Sequence, residues 1–163
     1  MKYKIACILI LLMTVSVSIW SADQSTGFKK QKSKGSLVYY TGSVIIEGEF
    51  TYSKTDEDQE VIGDQVCFYP IKKDGKLIPR EKDLRDPWFC FKDTKRAIDL
   101  LGISKLIKDP KVCNISGNAT VELTNYVVDK AETETNDIAD LVKVIKESKP
   151  VTKKFSKNGQ ECK

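Results

Sequence analysis

The feature that most constrains this chain is its beginning: Lys2 and Lys4 precede an apolar stretch from Ile5 to Val15, and the small residues Ser16, Ser18, Ser21 and Ala22 follow. Charge, then grease, then small side chains is the order of a secretory signal. Residues 1–22 are therefore expected to be a signal peptide, cut after Ser18, Ser21 or Ala22, with Cys7 discarded inside it. An uncleaved anchor is the alternative, but a spanning helix wants about 20 mainly apolar residues, and Thr14, Ser16 and Ser18 interrupt the run early. A secreted or periplasmic location follows. In such a compartment the remaining cysteines, Cys67, Cys90, Cys113 and Cys162, can be oxidised.

Removing residues 1–22 leaves 141 residues, enough for one domain with a modest core. It also lowers the formal net charge from +4 to +2, so no global charge draws the protein to nucleic acid. The lysines concentrate at the two ends of the mature chain. Lys29, Lys30, Lys32 and Lys34 lie in residues 23–35, expected to be a flexible linker. Lys149, Lys153, Lys154 and Lys157 lie in a basic tail, 149–163, preceded by Lys143 and Lys146. Such ends keep a protein soluble, and they also allow peripheral contact with an anionic membrane surface.

Between them, 36–148 is expected to be a single disulfide-braced β-rich domain. Residues 37–52 are rich in β-branched and aromatic side chains, a long strand in which Gly42 and Gly48 suggest a bend or bulge. An acidic stretch, 53–63, forms a wide hairpin loop before a second strand, 64–71. The polar connection 72–87 leads to Trp88-Phe89-Cys90-Phe91, too densely aromatic for a loop and taken as a short buried strand. Ala97, Ile98, Leu100 and Leu101 predict a short helix within 94–105. Val112 to Val128 is a hairpin or one long bent strand. Ile138, Leu141, Val142 and Ile145 then fall at helical spacing, predicting a C-terminal amphipathic helix over 137–148.

Strands, a helix after the third, and further strands form the element order of a small Greek-key barrel. At the level of topology this resembles the oligonucleotide/oligosaccharide-binding barrel, which implies a mainly β fold whose interior is filled by side chains. Four cysteines allow three pairings. The second and third strands are expected to be neighbours, which favours Cys67–Cys90 and leaves Cys113 for Cys162.

The chain has no histidine, which removes Ser-His-Asp and Cys-His catalysis and histidine-ligated metals. Glu47 and Glu49, or the 56–60 acids, are the remaining carboxylates for a hydrolase acting on envelope carbohydrate. The acidic run lacks the ligand spacing and glycine of a calcium loop, and no glycine-rich phosphate loop is present. No cofactor is expected. Aromatic residues such as Tyr39, Tyr40, Phe68, Tyr69 and Trp88 suit a core better than nucleic-acid stacking in an exported protein. Two sequons, at Asn114 and Asn118, fall within a predicted strand.

The reading that remains is an exported non-catalytic binding module, acting as a monomer on another envelope or extracellular protein, peptide or glycan, as an inhibitor or immunity-type protein does. The alternatives are the carboxylate hydrolase and a small apolar-ligand carrier. Long charged loops on a rigid scaffold are where binding concentrates. The candidate contact residues are therefore Asp56, Glu57, Asp58 and Glu60 in the acidic loop, with Arg80, Arg85 and Trp88 in or beside the connection that follows.

Overall fold

A computed structural model of the chain describes residues 27–80, 86–131, 136–156 and 162–163. The expected signal peptide and Arg85 lie outside the described residues. Strands dominate: β1 Lys29–Lys34, β2 Leu37–Thr41, β3 Ser43–Ser53, β4 Val66–Pro70, β5 Phe89–Phe91, β6 Val112–Asp129, β7 Asp137–Glu147 and β8 Val151–Lys154. Three short helices are α1 Asp56–Ile62, α2 Thr94–Leu100 and α3 Ser104–Ile107.

Five strands close on themselves. β3 pairs antiparallel with β6 and β4, β4 with β5, β5 runs parallel to β7, and β7 returns to β6. The alternation in β3 explains why it can serve such a ring: Val44, Ile46, Phe50 and Tyr52 are buried, while Ile45, Glu47 and Glu49 face out. Inside, Phe50, Phe68, Phe89, Phe91 and Tyr126 are fully buried. Phe89 stands edge-on to Phe91 and Tyr126, with centroids 5.7 and 5.5 Å apart. The interior is filled by rings.

The long strand expected over 37–52 breaks at Gly42, whose φ of 104° no L side chain adopts readily, giving β2 and β3. Gly48 has another use. It stays paired on both sides within β3, and a Cβ there would come 2.5 Å from the Phe68 ring, so the missing side chain makes room for that ring. Residues 112–128 form one strand, β6, which carries neighbours along both edges.

Four expectations need correction. The amphipathic helix predicted over 137–148 is strand β7. Its register with β6 slips at two points where β7 holds an extra residue, Val142 and Ile145, and these bulges produced the helix-like spacing. Within the expected linker, Lys29–Lys34 is an exposed edge strand paired with β2; lysines on such an edge discourage pairing with other chains. Within the expected basic tail, Val151–Lys154 pairs with β6 as β8. The wide acidic loop holds helix α1, because Thr55 caps it and Asp56, Glu57 and Asp58 occupy its first turn, where the helix dipole favours negative charge.

Both expected cysteine pairs are bonded. Cys67 and Cys90 face each other directly across β4 and β5. Cys113, at the start of β6, binds Cys162, with Cα atoms 5.8 Å apart. No helix among the described residues is long and apolar enough to cross a membrane.

Candidate functional site

The residues singled out from the sequence divide between two places. Asp56, Glu57, Asp58 and Glu60 all lie on α1 in the connection from β3 to β4, exposed to solvent. Thr55 Oγ1 accepts from the Asp58 amide at 3.4 Å and donates to Asp58 Oδ2 at 2.8 Å. Part of this acidity therefore builds the helix.

Beside it is an aromatic pair. β4 turns Phe68 into the ring and Tyr69 outward, and Tyr69 is 43% exposed. Phe68 faces Phe89 across the ladder, so the residues just beyond, Tyr69 and Trp88, come together. Their rings stack nearly parallel, 10° apart in plane and 5.9 Å between centroids. On its other side Tyr69 is registered against Glu49 of β3. Partial burial raises the Tyr69 phenol above its ordinary value, and the negative charges of Asp58 and Glu49 raise it further. Two carboxylates and two aromatic faces thus share one outward patch.

Arg80 is elsewhere. Its Nη1 lies 3.6 Å from Asp137 Oδ2, with only 19% of the arginine side chain and 1% of the aspartate side chain exposed. Asp137 also accepts hydrogen bonds from the Tyr126 hydroxyl at 2.7 Å and the Asp129 amide at 3.1 Å. Arg80 therefore ties the connection after β4 to the start of β7. It contributes to a polar junction at the wall of the core.

Glu47 and Glu49 project from the same outer face of β3, and Glu47 is ion-paired with Lys73 at 3.4 Å. Both sequons lie in β6. Asn118, opposite Glu49, is exposed, and Asn114, opposite Ser53, is half-buried.

Tyr69 and Glu49 are the functional candidates that the sequence reading did not bring to this patch. Alternation within Val66–Pro70 was the available signal: once Phe68 is assigned inward, Tyr69 must point out. The patch can hold a cation, since aromatic faces attract ammonium and guanidinium groups and nearby carboxylates pair with them. No protein family model, curated protein or solved structure matches this chain.

Proposed function

We propose that the chain is an exported, non-catalytic binding module, monomeric and built on an oligonucleotide/oligosaccharide-binding type of Greek-key barrel. Its acidic and aromatic patch takes a basic segment of another extracellular or envelope protein. The stacked Tyr69–Trp88 pair is the observation that carries this reading. In barrels of that type, ligands lie across the second and third strands and against the loop joining the first two. Counting around the ring from β3, those strands are β4 and β5, and that loop carries α1.

The topology supports the fold assignment, because α2 and α3 sit between the third and fourth strands of the ring, after β5 and before β6. Two disulfides and the leader-like first residues support export. The interior packed with phenylalanine rings favours binding on the outside over carriage of a lipid within. The lysines of β1 and β8 remain exposed for peripheral contact with anionic surfaces.

The test is retention of proteins from extracellular fluid or envelope extract on the immobilised mature domain, with a Tyr69→Ser/Trp88→Ala variant in parallel. The expected result is a basic partner that the variant loses and that moderate salt weakens. Failure to retain any protein, or equal retention by the variant, would overturn the proposal.

A further inference from the structure

A second site lies away from this patch, where the β1–β2 hairpin meets β6 and β7. A cleft of about 470 Å³ opens there, lined among others by Gln31, Lys32, Tyr39, Lys92, Asn125 and Asp140. Sites for small ligands have volumes of roughly 300–1,000 Å³. Its walls come from five separate segments, and each supplies a polar or aromatic group.

The backbone at this cleft is specialised. Asn125 has φ of 49° and is the one residue other than glycine with positive φ among the described residues. It sits where β6 slips against β7 between Thr124 and Val127. A bulge of this kind re-aims a side chain. Here Asn125 Nδ2 donates to Asp140 Oδ2 at 2.9 Å, leaving the amide oxygen and the second carboxylate oxygen as acceptors. On the facing wall, Gln31 Nε2 donates to Thr41 Oγ1 at 2.8 Å, and Lys32 Nζ lies 5.6 Å from the centre of the half-buried Tyr39 ring.

We infer that this cleft binds a sugar residue bearing an acidic group. The hydrogen-bonded amide–carboxylate pair accepts hydrogen bonds from neighbouring hydroxyls, the Tyr39 ring, with Lys32 over it, offers apolar contact to sugar C–H groups alongside the ammonium, and Lys32 and Lys92 outnumber Asp140 and favour an anionic substituent. Neutral sugars satisfy the first two contacts and forgo the third. Simple carboxylates have only the third.

The experiment is an NMR titration of the ¹⁵N-labelled mature domain, disulfides intact, with glucuronate, N-acetylneuraminate, glucose and acetate at millimolar concentrations. Saturable shifts at the Asn125 side-chain amide and at the Tyr39 and Lys92 amides are expected with at least one acidic sugar. Glucose should bind there several-fold more weakly, and acetate should not saturate. Lys92→Gln should bring the acidic sugar down toward glucose, while Asp140→Ala should abolish saturable binding of both with an unchanged amide spectrum elsewhere. Should Asp140→Ala disturb the fold, Asp140→Leu, of larger volume and without an acceptor, provides the same comparison. Absence of saturable shifts with both acidic sugars, equal response to acetate, or unchanged affinity in the Asp140 variant would overturn the assignment.

Discussion

Two tyrosines report their surroundings through their protons. The Tyr52 hydroxyl is bonded to Asp64, and its phenol is raised well above the ordinary 10.0, first by burial, then by that hydrogen bond and the aspartate charge. The folded state therefore keeps a proton that the unfolded chain releases near pH 10. The stability it contributes is complete below that pH and declines as pH rises toward the folded-state value. Tyr52→Phe should flatten this alkaline decline in a urea-unfolding series and cost about 1 kcal/mol at neutral pH; an unchanged alkaline slope would contradict the assignment. Tyr69 tests the proposed patch. Asp58→Asn removes one of the charges that raise its phenol, so its ultraviolet titration should move down toward 10.0. An unmoved midpoint would mean that α1 does not face the ring pair. At this scale the sequence was only partly legible. Trp88 and Asp58 were visible as candidates, but Tyr69 depended on which face of β4 turns inward, and Arg80 on the distant Asp137, a contact that local pattern does not encode.

Among elements, β7 shows how a bulged strand can imitate a helix. Its inward residues run Ala139, Leu141, Val144, with spacings of two and then three, because Val142 is an extra residue opposite the Glu122–Leu123 step. Bulges leave carbonyls without ladder partners. Arg96 of α2 supplies donors there: Nε to Leu141 O at 2.9 Å and Nη2 to Val142 O at 2.8 Å. Arg96→Ala should destabilise the domain by about 1.5–2 kcal/mol, the lower part of the range for hydrogen bonds from a charged donor because Arg96 is exposed. Arg96→Lys should recover only part, since one ammonium does not reproduce the two-pronged geometry. Chemical denaturation of the three proteins checks both; a full rescue by lysine would show that charge alone matters. The same physics separates what pattern could and could not predict. β3 alternates cleanly, and the bend at Gly42 and the aromatic β5 were readable. β1 is polar throughout and is a strand only because β2 offers an edge. α1 carries a readable cap in Thr55 and Asp58, but its helix buries no residue, so hydrophobic period was silent.

For the molecule as a whole, the two disulfides brace different things. Cys67–Cys90 lies within the five-strand ring and closes a separation of 23 residues; Cys113–Cys162 closes 49 and joins the chain's end to β6. In the chain-entropy model these contribute about 3.5 and about 4 kcal/mol. Against a total of about 5–15 kcal/mol for a domain, either loss is large, yet the two should differ in where the structure opens. β8 is held by its ladder with β6, by the bridge pairing of Phe155 with Cys162, and by the disulfide beside that pair. Without Cys113–Cys162 the outer strand keeps its ladder with β6 but is covalently tethered through residues 148–150 alone, whereas β3, β4, β5 and β7 keep every partner in the ring. A Cys113→Ser/Cys162→Ser variant should therefore speed hydrogen exchange most at Val151–Lys154, with exchange of the ring amides raised only by the global loss of stability. Cys67→Ala/Cys90→Ala should instead raise exchange throughout β4, β5 and their neighbours together, because the lost link lies between two strands of the closed circuit. Exchange mapped by mass spectrometry on both variants distinguishes the cases. If removing Cys113–Cys162 opened the ring as readily as β8, the carboxy-terminal strand would have to be part of the cooperative core rather than an addition to it.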